Sequence, residues 1–401
     1  MATNKEQNKL NVPHLRFPEF EGEWEKCKLG DIATGFDYGM NAPAKVFDGV
    51  NKYIRITDID EASSTYNDSD IVSPDGTLTD TYLVNERDIL LARTGASTGK
   101  SYLYKKTDGK LYFAGFLIRA NVPEHNPYFV FSQLHTHRYW KWVSIMSARS
   151  GQPGINSQEY STFPIYTTSI QEERKISKLL SLLDERIATQ SKLIEDLKKL
   201  KSAIIDYAIN SLDTDFAKFG SLYEMAGEGG TPTTSNASFY DNGKIPFVKI
   251  DDLKKKYLTE NKDFITELGL QKSSAWLVPT RSILFSNGAT IGKITITTYP
   301  VCTKQGILGI VPKPNIDVEF LYYFMSSSYF KKAVSRIVTE GTMKTAYLKD
   351  INNIRCPIPK KEKQLDIAKM PSALNFKIDF EQSILKLFGS QKHYLLRQMF
   401  M

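Results

Sequence analysis

The sequence predicts an α+β protein in which two similar β-rich domains are separated and held by two long antiparallel coiled-coil helices. Three observations lead to this prediction. The chain carries an internal duplication with a period of about 190 residues, far longer than one unit of a solenoid. Each half begins with short apolar runs broken by glycine, asparagine, aspartate and proline. Each half ends with apolar residues at heptad spacing, which is typical of paired helices.

The duplication rests on three pairs of matching segments that keep nearly the same offset. The pairs are residues 54–59 with 248–253, residues 95–100 with 288–293, and residues 163–165 with 356–358. Because the offset holds across a whole domain, the pattern indicates two domains of one fold and not an array of short repeats. We expect a tail at 1–23, a β-rich domain at 24–165, a helical spacer at 166–210, a second β-rich domain at 211–358 and a terminal helix at 359–401.

Strands and shorter helices alternate within each predicted domain. Residues 88–92 and 293–297 are apolar, β-branched runs that predict strands. The glycine-containing segment 95–100 predicts a β-turn between two strands. Residues 128–142 and 320–337 predict one helix in each domain.

The long helices are predicted from apolar positions that alternate by four and three residues. The first seam would make residues 176–208 a helix roughly 50 Å long at ~1.5 Å per residue. Polar interruptions fall at matched positions, Gln190 with Glu381 and Lys201 with Lys392. Matched polar positions fix register in coiled coils, so we expect the two helices to pair. The alternative is two separate amphipathic helices, each packed on its own domain. The predicted helix-pairing residues are Leu180, Leu183, Ile187, Ile194, Leu197, Leu374, Ile378, Leu385 and Phe388.

Two residues disturb the second seam. Pro371 lies on a seam position and removes a backbone donor, so the sequence predicts that the regular helix begins after it. Gly389 lies within the predicted helix and weakens it by roughly 1 kcal/mol relative to alanine.

The composition indicates a globular protein with a modest basic excess. Among 401 residues, hydrophobic types make up 41% and the formal net charge is +7, which is compatible with a polyanionic partner. The three cysteines are widely spaced and predict neither a disulfide framework nor a zinc site. The first ten residues are polar and no segment is apolar enough to span a membrane, so we expect a soluble, cytoplasmic protein.

The sequence contains only partial matches to catalytic motifs. Residues 95–101 resemble a phosphate-binding loop but have three residues between the glycines where four are needed. Asn126, Pro127 and Tyr128 resemble part of an amino-methyltransferase motif without its second proline. The five histidines show no metal-ligand spacing, so we predict no catalytic and no metal-binding residues.

Basic, amide and aromatic residues occupy equivalent turns of the two halves and predict a DNA-binding surface. Arginine and lysine bind phosphates and guanine edges, whereas asparagine and glutamine read adenine. Residues 254–256 form a short basic run. For any single residue, a solvated turn position is the alternative. The candidates are Arg55, Arg93, Lys100, Tyr102, Arg149, Gln152, Asn156, Lys249, Lys254, Lys255, Asn287, Lys293 and Lys344.

Taken together, these segments make the chain similar to the specificity subunits of type I restriction–modification enzymes. In the second half the resemblance is carried by residues 229–232 (Gly-Gly-Thr-Pro), 239–240, 245–248, 283–293 and 348–359. In the first half it is carried by Trp24 and residues 29–31, 38–39 and 53–59, without a Gly-Gly-Thr-Pro turn. The resemblance covers nearly the whole chain from Leu15.

The resemblance implies two target recognition domains, each of which binds one part of a split, asymmetric site on double-stranded DNA. It implies that the helices dock two modification subunits, which bind S-adenosylmethionine and methylate adenine. Restriction subunits that use ATP and magnesium can join the complex. No cofactor is expected on this chain.

Two other functions remain open at this stage. The chain could carry its own methyltransferase or nuclease site, which would require a motif not found above. It could also be a coiled-coil adaptor with two domains for ligands other than DNA, which would show no salt-dependent DNA binding.

Overall fold

The chain is divided into two compact units that share the long helices. The computed structural model describes residues 11–61, 63–148, 151–288, 290–338 and 344–401. Unit 1 comprises the residues up to Ser191 together with Ser383–Met401, and unit 2 comprises Lys192–Gln382. No described helix is both long and apolar enough to cross a membrane.

Unit 1 is built from short strands, short helices and segments of the two long helices. Its strands are β1 (Glu25–Lys28), β2 (Thr34–Tyr38), β3 (Ala44–Val46), β4 (Lys52–Ile54), β5 (Val72–Pro74), β6 (Asp88–Ala92), β7 (Ser101–Leu103), β8 (Leu111–Phe113), β9 (Leu117–Asn121) and β10 (Pro164–Thr167). Its short helices are α1 (Leu29–Ile32), α2 (Pro127–Gln133), α3 (His137–Met146) and α4 (Ser157–Ser161). The long helix α5 (Ile170–Asn210) begins in this unit.

Unit 2 has a similar, though not identical, order of elements. Its strands are β11 (Phe216–Lys218), β12 (Tyr223–Glu228), β13 (Ile245–Val248), β14 (Tyr257–Leu258), β15 (Asp263–Ile265), β16 (Ile283–Ser286), β17 (Ile294–Thr297), β18 (Cys302–Thr303), β19 (Ile307–Pro312) and β20 (Arg355–Pro357). Its short helices are α6 (Glu267–Gln271), α7 (Val318–Ser326), α8 (Ser328–Ile337) and α9 (Leu348–Ile351). The second long helix, α10 (Lys361–Met399), begins in this unit.

The main sheets of the two units share the same order of four strands, to which unit 2 adds β14, and this confirms the predicted pair of similar domains. The main sheet has the order β2-β9-β6-β7 in unit 1 and β12-β19-β16-β17-β14 in unit 2. In each unit the first and last strands pair antiparallel, β1 with β10 and β11 with β20. A parallel pair also recurs, β4 with β8 and β13 with β18.

The central strand of each main sheet is buried on both faces. Every residue of β6 is buried, because Ile89 and Leu91 enter one apolar cluster whereas Leu90 and Ala92 enter another. Strand β16 is covered in the same way, since its residues also divide between two clusters. A strand enclosed on both sides is apolar at consecutive positions, which explains the unbroken apolar runs in the sequence.

The long helices run antiparallel within each unit. In unit 1, Ile176 and Leu180 near the start of α5 pack with Leu396 and Met399 at the end of α10. In unit 2, Ile205 near the end of α5 lies in the same cluster as Ala368 near the start of α10. Opposite ends of the two helices therefore meet in each unit.

Polar contacts between the helices accompany this packing. In unit 1, Lys392 pairs with Asp184 across 2.6 Å. In unit 2, the Nζ of Lys201 donates to the Oδ1 of Asn375 at 3.0 Å. Lys201 and Lys392 were the matched lysines of the two seams, and each binds the opposite helix within its unit.

The prediction that the second long helix begins after Pro371 is wrong. Helix α10 runs from Lys361 to Met399 with Pro371 inside it. A proline within a helix costs about 3 kcal/mol through the lost hydrogen bond and the clash with the preceding turn. Ala368 and Ile378 are buried on either side of it, so tertiary packing holds the flanking turns in helical form.

The prediction of one helix at 128–142 and one at 320–337 is also wrong, because each segment divides into two helices. Helices α2 and α3 are separated by Thr136, whose side chain accepts a hydrogen bond from the backbone of Tyr139. Helices α7 and α8 are separated by Ser327, whose side chain accepts from the backbone of Phe330. A hydroxyl that caps a new helix satisfies donors that a continuous helix would have bonded internally.

His135, after α2, predicts a loss of stability in acid. Its Nδ1 lies 2.9 Å from the carbonyl oxygen of Phe131, and its Nε2 lies 2.9 Å from the Oγ of Ser64. Burial, followed by the positive charge of Lys392, lowers the pKa of His135 to about 4. Between pH 6.5 and 4 the unfolded chain therefore binds the proton more readily than the folded chain. We expect the free energy of unfolding to fall by at most about 3 kcal/mol as the pH drops through this window.

Denaturant titrations across this pH range measure the effect. In the His135→Gln variant, the free energy of unfolding should fall less between pH 6.5 and 4, because the contribution of His135 is missing. The His14→Gln variant changes an exposed position and should show the same pH dependence as the parent chain. Parallel pH profiles for His135→Gln and the parent chain would contradict the assignment.

Candidate nucleic-acid interface

Unit 1 contains an open cavity of about 610 Å³ between the end of β2, the turn after β4 and the turn between β8 and β9. We call it the β2 cavity. Two arginines and three aromatic residues contribute to its wall. They are Arg55, Arg93, Tyr38, Tyr53 and Phe116.

Arg93 has a rigid backbone because it directly follows the buried strand β6. Its backbone nitrogen donates to the carbonyl oxygen of Phe116 at 3.0 Å, and its own carbonyl accepts from the nitrogen of Ile155 at 2.9 Å. Its guanidinium carbon lies 4.7 Å from the centre of the Tyr38 ring. The Nη1 atom donates a long hydrogen bond, 3.4 Å, to the carbonyl oxygen of Gly115.

Tyr38 is itself anchored at its hydroxyl. The backbone nitrogen of Ser157, the first residue of α4, donates to the Tyr38 hydroxyl at 3.2 Å. Hydrogen bonds from Ser157, first from its side chain and then from its backbone, lower the pKa of Tyr38 below its ordinary value, with a smaller contribution from the charge of Arg93. The Tyr38 ring is 41% exposed, so its outer part remains open to a ligand.

Arg55 lines the same cavity but is neutralised by carboxylates. Its guanidinium pairs with Asp58 at 2.8 Å and with Asp70 at 3.3 Å. The hydrogen bond to Asp58 is the main reason why the pKa of Arg55 lies above its ordinary value. A phosphate would have to displace these carboxylates to bind Arg55.

The other first-half candidates that the structure describes lie in turns of unit 1. Lys100 pairs with Glu61 at 3.3 Å. Gln152 is exposed, whereas the side chain of Asn156 caps α4 by accepting from the backbone of Glu159. The candidate Arg149 lies outside the described residues.

The prediction that Tyr102 contacts DNA is wrong. Tyr102 lies in β7 with no exposed surface, and its hydroxyl donates to the Oδ2 of Asp108 at 2.6 Å. It belongs to the same apolar cluster as Leu90 and Phe113. A side chain without exposed surface has no access to a duplex, so Tyr102 stabilises the domain core.

The prediction for Asn287 in unit 2 is wrong for the same reason. Asn287 follows β16 and is 2% exposed, and its Nδ2 donates to the carbonyl oxygen of Ala346 at 3.3 Å. Its backbone nitrogen donates to the carbonyl oxygen of Gly306, as that of Arg93 does to Phe116. Asn287 and Arg93 are therefore equivalent positions, with a buried amide in one unit and a cavity-lining cation in the other.

The lysine candidates of unit 2 lie among carboxylates. Lys249 pairs with Asp263 at 2.8 Å, and Lys293 lies 3.9 Å from Asp251. Lys254 and Lys255 are exposed and line a shallow cavity of about 210 Å³ together with Asp251, Asp252 and Glu260. Lys344 is exposed. The candidates of this unit thus form no continuous basic surface among the described residues.

The third lysine of the 254–256 run has a different position. Lys256 is buried and forms an ion pair with Glu319. Its Nζ also donates to the hydroxyls of Tyr323 at 2.9 Å and Ser372 at 3.0 Å. The prediction that Lys256 belongs to an exposed basic run is therefore wrong. Its ammonium group is bound by three partners inside unit 2.

One cation position recurs in both units with the same local geometry. Arg55 and Lys249 each precede a 3₁₀ turn, Ile56–Asp58 and Ile250–Asp252. The backbone nitrogen of each donates to the aspartate three residues later, at 2.8 Å in unit 1 and 2.9 Å in unit 2. The matched segments of the sequence thus adopt matched turns.

Phe116 is a candidate that the sequence reasoning missed. Its side chain is 57% exposed in the turn between β8 and β9, at the wall of the β2 cavity. The sequence does contain a signal for this residue, because a large aromatic follows Gly115 between two apolar runs. Exposed aromatics in turns are common in binding surfaces.

The predicted helix-pairing residues are all buried or half-buried. In unit 1, Leu180 and Leu183 are buried, and Ile187, Leu385 and Phe388 are half-buried. In unit 2, Ile194 and Ile378 are buried, and Leu197 and Leu374 are half-buried.

Each long helix also carries a second, exposed set of apolar residues. On α5 in unit 2 these are Leu193, Leu200 and Tyr207, which lie on one face because they are seven residues apart. On α10 in the same unit they include Phe376 and Phe380. We call these five residues the outer stripes.

Cys27, Cys302 and Cys356 are free thiols. Within the described ranges, no group of three or more histidine, cysteine, aspartate or glutamate residues is placed to hold a metal ion.

The structure thus contains two similar domains, each joined to a long helix. This duplicated architecture matches a known protein family. A model of the type I restriction modification DNA specificity domain matches residues 21–199 and again residues 213–387. The chain belongs to this family and contains two copies of its domain.

Individual relatives agree with this assignment. The chain is 24% identical over 410 residues to the type I restriction enzyme MjaVIII specificity subunit of Methanocaldococcus jannaschii, covering 95% of this chain and 92% of that protein. It is 31% identical over 166 residues to the MjaIX specificity subunit of the same organism, covering 40% and 37%. A crystal structure of a type I restriction-modification system S subunit from M. genitalium has the same fold, with a TM-score of 0.61, 17% identity and coverage of 97% and 99%.

Proposed function

We propose that this chain is the DNA-specificity subunit of a type I restriction–modification enzyme and has no catalytic site of its own. Each unit acts as a target recognition domain for one half of a split site on double-stranded DNA. The observation that carries the proposal is the duplication, because two domains with similar main sheets each match the DNA specificity domain family.

The two half-sites should differ in sequence. Equivalent turns of the two units carry different residues; the Gly-Gly-Thr-Pro turn at 229–232, for example, has no counterpart in unit 1. Base readout depends on the few side chains that reach base edges, so domains with different turns select different bases. Paired recognition elements on one side of B-DNA read half-sites roughly 34 Å, or one helical turn, apart.

The partners in this proposal are two modification subunits, which bind S-adenosylmethionine and methylate adenine, and restriction subunits, which use ATP and magnesium. The outer stripes support docking of modification subunits on the long helices, since exposed apolar patches mark protein interfaces. All cofactors then belong to the partners, and the complex acts on DNA in the cytoplasm. The target adenine has to leave the base stack for methylation, so this chain holds the duplex while the modification subunit takes the base.

A methylation map tests the proposal. The chain is expressed with a cognate modification subunit in an unmethylated host, and modified adenines are located across the genome. We expect a split, asymmetric motif that is absent without this chain. Replacement of residues 24–165 by the recognition domain of a relative should change one half of the motif and leave the other half intact.

Two results would contradict the proposed function. If the modification subunit is bound and active but no motif depends on this chain, the specificity assignment is wrong. A coiled-coil adaptor with two ligands other than DNA would then be the better description. Methyl transfer by the purified chain alone with S-adenosylmethionine would contradict the absence of a catalytic site.

A further inference from the structure

The β2 cavity holds one cation that no described carboxylate neutralises. Arg55 is paired with Asp58 and Asp70. Arg93, in contrast, contacts the face of the Tyr38 ring and one distant carbonyl oxygen, and none of the ion pairs among the described residues includes it. A guanidinium has five N–H donors, so most of the hydrogen-bonding capacity of Arg93 is unused.

The shape of the site distinguishes the parts of a duplex that could enter it. Base edges are recessed in grooves several ångströms deep, so side chains that read them stand on protruding helices, strands or loops. The phosphate backbone, by contrast, is the outer ridge of the duplex. A cavity of about 610 Å³ with Arg93 in its wall therefore fits the ridge better than the groove.

The neighbours of Arg93 are also suited to the sugar–phosphate backbone of DNA. The Tyr38 ring holds the planar guanidinium in one orientation, and a pre-oriented fork binds two phosphate oxygens at little entropic cost. The exposed ring of Phe116, on the same wall, provides an apolar surface for the adjoining deoxyribose.

The equivalent position in unit 2 lacks this cation. The Asn287 side chain is buried and donates to the Ala346 carbonyl oxygen, so it offers no positive charge at the surface. The arrangement is thus specific to the first recognition domain.

We infer that Arg93, held in place by Tyr38, binds one backbone phosphate of the half-site that unit 1 contacts. This contact positions the duplex and does not read its sequence. Tyr38 is a positioning residue that acts through Arg93. The inference rests on the proposed function and names the part of the DNA that the β2 cavity binds.

Salt-dependent binding tests this assignment on the complex of the full chain with its modification subunits. The probe is a fluorescently labelled duplex that carries the motif found by the methylation map. We expect Arg93→Gln to weaken binding about tenfold at moderate salt, as the loss of a charge-assisted contact does. The slope of log affinity against log salt should become shallower by about 0.9, which corresponds to one phosphate contact. The methylated motif should stay the same.

Three further variants and a control distinguish the orientation of Arg93 from its charge and from an effect on folding. Arg93→Lys should keep the salt slope at reduced affinity, because it retains the charge without the fork. Tyr38→Ala should weaken DNA binding in the same way as Arg93→Gln. Tyr38→Phe should retain most of the affinity of the parent chain, because the ring remains although its hydroxyl anchor is lost. The matched control is Lys106→Gln, which removes an exposed cation of unit 1 that pairs with Glu86 at 2.9 Å, and it should change neither affinity nor slope.

Two results would overturn the inference. A motif altered at one base pair with an unchanged salt slope would make Arg93 a base reader. Unchanged affinity, slope and motif in Arg93→Gln would show that the β2 cavity does not contact DNA, although the specificity function would still hold. If the parent chain directs no methylation, the proposed function fails and this inference fails with it.

Discussion

Replacement of Leu193 and Leu200 by glutamate should strongly weaken assembly with the proposed modification subunit while the chain itself remains folded. Both leucines belong to the outer stripes and are exposed on α5, with 40% and 49% of their surface accessible. A charge at an exposed helix position costs the isolated chain little. At an interface, the same charge loses its water and has no partner, which costs several kcal/mol per carboxylate.

Co-purification and light scattering of the complex measure this effect. We expect association to weaken by more than about 100-fold, since each buried, unpaired charge costs at least about 2 kcal/mol. Val50→Glu is the matched control, because Val50 is an exposed apolar residue of unit 1 away from the long helices. Intact assembly of the double variant would place the modification subunit elsewhere on the chain.

Loss of Glu319 should destabilise the chain more than loss of any exposed carboxylate. Glu319 forms the ion pair with buried Lys256, whose ammonium also binds Tyr323 and Ser372. In Glu319→Ala the ammonium remains buried without a counter-charge, which costs about 3–5 kcal/mol. Denaturant unfolding of the full chain, followed by far-ultraviolet circular dichroism, measures the change.

Two further variants define the origin of this loss. Glu195→Ala removes a carboxylate that pairs with Lys199 on the surface of α5, and this change should lower the free energy of unfolding far less than Glu319→Ala does. The double variant Lys256→Met with Glu319→Leu should recover much of the stability, because it removes both charges from the interior. If Glu319→Ala costs no more than Glu195→Ala, the buried pair does not stabilise unit 2.

The sequence was sufficient for features that repeat along the chain. The three matched segment pairs predicted two domains of one fold, and the heptads predicted both long helices, because spacing is a property of the chain itself. Local backbone exceptions were harder to predict. Pro371 breaks an isolated helix but is tolerated in α10, where buried neighbours on both sides hold the turn.

The candidate site was less predictable, because exposure depends on what covers each strand. Tyr102 and Asn287 occupy turn-adjacent positions that resemble binding positions in sequence, yet both are buried in the structure. Lys256 looked like its neighbours Lys254 and Lys255, and only the fold brings Glu319 beside it. The β2 cavity combines the end of β2, the turn after β4 and a later turn, so no local pattern contains it.

The antiparallel helices have a consequence for biosynthesis. Trp24 and Phe129 of unit 1 pack against Phe400, and the backbone nitrogen of Leu15 donates to the carbonyl oxygen of Gln398 at 2.9 Å. The first domain to leave the ribosome is therefore the last to complete its core, whereas unit 2 is continuous from Lys192 to Gln382. During translation the nascent chain exposes the apolar side of its first domain until residue 400 has emerged.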